Sequence, residues 1–195
     1  MKTAGHFLFG VRSFTPIPFL AACLILANFE FITFCTGLVF IAIGEIIRFS
    51  AAGYIGISSR SRNAEADIIV TNGPYGFVRN PLYIGNVLIY LGFSVLSNVF
   101  FPYFSFMILI FFFVVYYCIT RYEEDFLLHQ FKQYAIYYGK VPRFFPKFSH
   151  FASLGFPQIK FDLKKALQAE RPTFVAIIFV LAAFIIKYCT ISAGI

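Results

Sequence analysis

The sequence predicts an all-α fold, an integral membrane helical bundle of about five transmembrane helices with amphipathic helices on the cytosolic side. Composition is the first reason: 59% of residues are hydrophobic and only 13% are charged, about half the charged share of an ordinary soluble domain. Mean hydropathy is +0.78. Apolar stretches reach or approach the roughly 18–20 residues that cross a bilayer as helix. Cationic residues also cluster between those stretches instead of spreading evenly. With 195 residues, one membrane-embedded domain over 1–195 is expected.

The first span is expected over residues 14–29. Lys2 and Arg12 precede it, as they would a secretory signal. No small-x-small cleavage site follows and further spans do, so it reads as an anchor that stays. The second span is expected over 31–57, the third over 81–96, the fourth over 102–122 and the fifth over 172–189. Asn80-Pro81 supplies a helix start, since Asn caps and Pro suits the first helical position. Arg171-Pro172 repeats the device. Phe29-Glu30 and residues 97–101 are tight links, so spans one and two, and three and four, are expected as hairpins.

Charge sets the orientation. With the N-terminus cytosolic, residues 1–13, 58–80 and 123–171 lie inside and the C-terminus lies opposite. Of the sixteen Lys and Arg, all but Lys187 fall in those segments or at adjoining helix ends, as the positive-inside rule requires. The net charge of +7 then reflects topology and a lipid bilayer with anionic headgroups. No basic patch accompanies a soluble recognition fold, so no nucleic acid partner is expected.

Residues 123–139 are expected to continue span four as an interfacial amphipathic helix. Phe126, Leu127, Phe131 and Tyr134 recur at helical spacing there, and Gly139 and Pro142 end it. A second short helix is expected over 162–170, capped by Asp162. Cys23, Cys35, Cys118 and Cys189 lie in apolar stretches without metal-ligand spacing. They read as small buried hydrophobes, with no disulfide and no metal site.

Several polar residues need a reason to be where they are. Glu45 and Arg48 share a helix face within span two, where ionisable groups are costly and usually paired or functional. They form an ion pair, face a substrate, or, for Arg48, reach the headgroup level. Glu123 and Glu124 end span four. Neighbouring side chains on a helix diverge by about 100°, so a single ligand meets one of them. The segment NGPYGFVRNPLYIGN, residues 72–86, lies at the same membrane edge. Gly73-Pro74-Tyr75-Gly76 is turn chemistry. Arg79 and Asn80 precede a helix start whose free N–H groups and dipole favour an anion. Tyr83 follows one turn later, and Gly85 leaves room for close approach to the backbone. The segment is either an anion anchor or a well-made loop; it is no Walker A or dinucleotide fingerprint.

GPYGFVRNPLYIGN resembles the G-P-Y-x-x-x-R-[HN]-P-x-Y-x-G signature of the isoprenylcysteine carboxyl methyltransferase and phospholipid methyltransferase superfamily. GEIIRFSAAGYIG (44–56) and IIVTNGPY (68–75) match its preceding blocks. RYEEDFLLHQFKQYAIYYGKVPRFFP (121–146) matches its E-E-x-x-L…V-P-R block. The resemblance is strongest over 44–146, leaving 147–195 as connector and last span.

It implies a methyltransferase that uses S-adenosyl-L-methionine, releases S-adenosyl-L-homocysteine and needs no metal. The acceptor would be lipid-like, prenylated or small and hydrophobic, of the isoprenylcysteine carboxylate type and entering from the bilayer, with a phospholipid amine and a small thiol as alternatives. Tyr75, Arg79, Asn80, Tyr83 and Gly85 would line the cofactor side. Glu123 or Glu124 would take the cofactor's positive charge, and Tyr134, Tyr138 and Arg143 would close the pocket. Arg143 or Arg48 would orient an acceptor carboxylate by paired hydrogen bonds; with an amine acceptor, Glu123 or Glu124 would take the proton. Asn80 stands where many members have His, so a proton-transfer role at that position is not expected. Two rivals remain: a sterol-type membrane reductase using NADPH, whose H-P-N-Y-x-G-E pattern Asn86 breaks, and a non-enzymatic scaffold or transporter subunit.

Overall fold

The computed structural model describes residues 2–56, 69–146 and 158–192. Its helices are α1 (Lys2–Val11), α2 (Ile17–Leu26), α3 (Phe31–Ile55), α4 (Pro81–Ser97), α5 (Tyr103–Gln130), α6 (Tyr134–Lys140) and α7 (Leu163–Ser192). A 3-10 turn, Gly73–Gly76, precedes α4. The segments Phe31–Ile55, Tyr103–Gln130 and Leu163–Thr190 are long and apolar enough to cross a membrane, and α2 and α4 are shorter apolar helices. The chain is an all-α integral membrane bundle. Parts of the cytosolic segments expected over 58–80 and 123–171, together with Ile57 of span two, lie outside the described residues.

The tightest contact in the bundle is between α3 and α4, and glycine makes it possible. Gly37 and Gly44 on α3 meet Gly92 and Gly85 on the antiparallel α4; a Cβ added to Gly37 would stand 2.5 Å from the Gly92 carbonyl oxygen, and one on Gly44 2.7 Å from that of Gly85. Membrane helices approach this closely only where side chains are absent. Cys23, Ile41, Ile89, Phe93, Leu96 and Phe184 form a core joining α2, α3, α4 and α7. A second core, around Ile108, Phe112, Tyr116 and Ile119 of α5, receives Phe9 from α1.

Several expectations are corrected. No helix was expected within residues 1–13, but Lys2–Val11 form α1, which packs on α5. The span expected over 14–29 shrinks to the ten residues of α2, about 15 Å of helix against a hydrocarbon core of about 30 Å. Pro16 and Pro18 break it at one end. At the other, the chain is extended and the Asn28 N–H donates to the Ser97 carbonyl at 2.9 Å. Consequently α2 rests on α4 and α7 instead of forming the expected hairpin with α3, whereas α4 and α5 do pair. Lys187 donates to the open carbonyls of Leu24 (2.7 Å) and Ile25 (2.6 Å), satisfying the end of the short helix.

The helix expected to run from 123 to 139 breaks at Phe131, which is extended (φ −123°, ψ 107°). That break turns Tyr134 and Tyr137 inward onto Val141. The helix expected over 162–170 and the fifth span are one element, α7, with Pro172 inside it. Its start is as expected: Asp162 Oδ1 accepts from the Lys165 N–H at 3.1 Å. Asn80, by contrast, precedes α4 without capping it. Of the cysteines Cys23 is buried, but Cys35 and Cys189 lie on outward faces.

The α3–α4 contact predicts a contrast. Gly44→Ala overpacks it and lowers stability by roughly 1–3 kcal/mol. Gly139→Ala, whose added Cβ meets nothing within 4 Å, is neutral or slightly stabilising. Thermal unfolding in mild detergent reads both.

Candidate functional site

The turn-rich segment 72–86 is tied down from every side. Gly73 adopts φ +61°, a conformation a side chain disfavours, and the Tyr54 ring closes over it. Asn72 exchanges hydrogen bonds with the Ile159 backbone just before α7. The Tyr137 hydroxyl donates to the Tyr75 carbonyl at 2.7 Å. Finally, the Arg79 N–H donates to the Pro142 carbonyl at 2.8 Å.

Arg79 is the centre of the first charged cluster. Its Nε donates to Glu124 Oε1 at 2.9 Å, and its Nη1 donates to the carbonyls of Tyr138 (2.6 Å) and Val141 (2.7 Å). Its guanidinium lies over the Tyr138 ring, 4.2 Å from the centroid. Arg143 grips the same carboxylate in a fork, Nε at 3.0 Å and Nη2 at 2.5 Å from Oε2. Asn80 adds a longer contact at 3.4 Å. Glu124 is 2% exposed, so two guanidiniums share one desolvated carboxylate. Burial opposes the Arg143 charge, but Glu124 outweighs it and its pKa is raised further.

Arg48 is the centre of the second. It pairs with Glu45 at 3.8 Å, but its main partner is Glu170 of α7, reached through Nε at 3.1 Å and Nη2 at 2.7 Å. Asn86 and Thr173 complete the set. At 8% exposed, Arg48 is enclosed by its partners inside the bundle. The cluster joins α3, α4 and α7.

Between the two clusters lies a cavity of about 830 Å³, within the roughly 300–1,000 Å³ of small-molecule sites. Its polar end carries Tyr75, Tyr83, Asn86, Glu123 and Arg12; its apolar end carries Leu20, Ile89, Phe93, Ile177 and Val180. Tyr75 is 6% exposed, and its hydroxyl finds no hydrogen-bond partner among the described residues. Burial raises its pKa far above the usual tyrosine range, with Glu123 adding to the effect, so the phenol stays protonated and can donate. The Tyr83 hydroxyl donates to Glu123 Oε1 at 2.9 Å.

The sequence-predicted residues divide. Arg48, Tyr75, Arg79, Asn80, Tyr83, Glu123, Glu124 and Tyr134 line the cavity. Gly85, Tyr138 and Arg143 do not: Gly85 is covered by the Arg48 stem, Tyr138 lies under Arg79, and Arg143 stands behind Glu124 beside the Tyr117 ring. Sequence reasoning did not single out Glu170, Asn86, Tyr90, Tyr116 or Arg12 as site residues. A carboxylate at the edge of an apolar helix was a signal for Glu170. Tyr83, Asn86 and Tyr90 fall at helical spacing on one face, which was a signal for the α4 wall.

The chain is 31% identical over 113 residues to the cobalt-zinc-cadmium resistance protein CzcN of Cupriavidus metallidurans, covering 58% of this chain and 49% of that protein. It thus spans about half the length of that relative. No solved structure matches. The family model described as phospholipid methyltransferase matches residues 32–134, more than half of the chain, with Arg48, Arg79, Asn80, Asn86 and the Glu123-Glu124 pair inside the match and Arg143 and Glu170 outside it. The chain therefore belongs to the phospholipid methyltransferase family.

Proposed function

We propose that this membrane methyltransferase uses S-adenosyl-L-methionine and acts on a lipid-like acceptor at the cytosolic membrane face. One observation carries the reading: a single cavity joins a tyrosine- and carboxylate-rich end to an apolar end. When bound, the cofactor supplies a methyl group activated by a sulfonium. The residues fit such a group. Glu123 offers a carboxylate to its positive charge, and the buried Tyr75 hydroxyl offers a donor left unused among the described residues. Leu20, Phe93, Ile177 and Val180 suit the acceptor's hydrocarbon and exclude water, which favours reaction steps that lose charge.

The two adjacent glutamates take different parts. Glu124, held by Arg79 and Arg143, fixes the cavity wall. Glu123 faces the ligand. An acceptor carboxylate would meet Arg48 at the cavity edge, while an amine acceptor would give its proton to Glu123. Arg143, outside the lining, holds Glu124 in place and keeps the wall closed. The placement of Lys and Arg supports a cytosolic polar end.

Calorimetry on the purified protein is the direct test: S-adenosyl-L-homocysteine binds and NADPH does not. Binding of NADPH alone would overturn the reading in favour of a reductase, and binding of neither would favour a scaffold. The glutamates separate in a second measurement. Glu124→Gln removes the negative charge shared by the Arg79 and Arg143 guanidiniums and costs on the order of 3 kcal/mol of stability. Glu123→Gln keeps the wild-type unfolding midpoint and weakens S-adenosyl-L-methionine about tenfold or more, roughly 1.4 kcal/mol.

A further inference from the structure

Tyr83 does more in this geometry than line a pocket. Its hydroxyl donates to one oxygen of Glu123, Oε1, at 2.9 Å. Its ring stacks on Tyr116 of α5, centroids 4.6 Å apart and planes 26° apart. Tyr116 is 3% exposed and is itself fixed by the α5 core, with its hydroxyl 3.5 Å from that of Tyr90. The Tyr83 ring therefore has little freedom to turn, and its hydroxyl is a fixed point. Glutamate has three rotatable bonds, and Glu123 sits at the rim of a wide cavity. Freezing such a side chain costs on the order of 1.5–2 kcal/mol of rotamer entropy. A donor already in place removes much of that cost from ligand binding.

We infer that Tyr83 is a positioning residue: it anchors Oε1 of Glu123 so that the other oxygen is presented to a positively charged group in the cavity. The inference rests on the methyltransferase reading and deepens it, because it assigns Tyr83 to the carboxylate and not to direct contact with the cofactor. Arg12, in the turn after α1, also acts on both Tyr83 and Glu123 through its charge. Tyr83 is the partner in hydrogen-bond contact. The rigidity comes from the stack and not from the hydroxyl, so Tyr83→Phe removes the anchor and leaves the wall standing.

Calorimetry with two probes tests this without needing the acceptor. S-adenosyl-L-methionine carries both ammonium and sulfonium; 5′-methylthioadenosine carries neither. Tyr83→Phe is expected to weaken S-adenosyl-L-methionine by about threefold to tenfold and to leave 5′-methylthioadenosine unchanged. In a Glu123→Gln background the same substitution is expected to have no further effect, since the group it positions is gone. Equal weakening of both probes, or full additivity with Glu123→Gln, overturns the positioning role and leaves the methyltransferase reading intact. If the wild-type protein binds neither probe, both fall together. An unchanged unfolding midpoint for Tyr83→Phe confirms that the wall is intact in every arm.

Discussion

The arrangement depends on one buried carboxylate. Glu124 projects from α5 into a place where Arg79, from the loop before α4, and Arg143, from the segment after α6, converge on it. Removing three charges from water is costly, and the cost is met only when every oxygen and N–H finds a partner. Here the remaining Arg79 donors go to the Tyr138 and Val141 carbonyls. Three stretches of chain far apart in sequence are thereby held in one register. The cavity wall, with Tyr75 and Tyr83 on it, takes its shape from that register.

A second constraint lies on the membrane side of the cavity. The bare backbones of Gly37, Gly44, Gly85 and Gly92 let α3 and α4 approach closely. Because Gly85 has no side chain, the Arg48 stem passes over it to reach Glu170 and Asn86. Close helix packing and a buried ion pair are thus one device. Together with Lys187, which satisfies the open end of the short α2, it holds α7 against the bundle at two levels. The segment of α7 from Pro172 to Val180 is left to line the cavity.

Much of the fold was legible because apolar run length and turn residues are local signals. Spans two to five appear near their expected places. The first span was misjudged because its hydropathy is real while its helix is interrupted. Pro16 and Pro18 stop it on one side, and pairing of Asn28 with Ser97, a contact invisible in sequence, stops it on the other. The separate helix expected over 162–170 fused with the last span because Pro172 costs one hydrogen bond, whereas continuity aligns Glu170 with Arg48. Asn80 looked like a cap, but its amide is turned toward Glu124 and the Arg143 carbonyl.

The sequence by itself determined the membrane class, the main apolar helices after the first, the turn-rich segment and the family. Each is carried by composition or by residues adjacent in the chain. Only the tertiary structure decided how the two glutamates are held: Glu124 by Arg79 and Arg143, Glu123 by Tyr83. Helical geometry requires Glu123 and Glu124 to diverge, but it does not say which of them the two arginines will take. It likewise removed Gly85, Tyr138 and Arg143 from the cavity lining, brought in Asn86 and Arg12, and set Glu170 behind the lining on Arg48. Those assignments depend on which faces of α1, α4, α5 and α7 meet, and packing between helices is not encoded in any one of them.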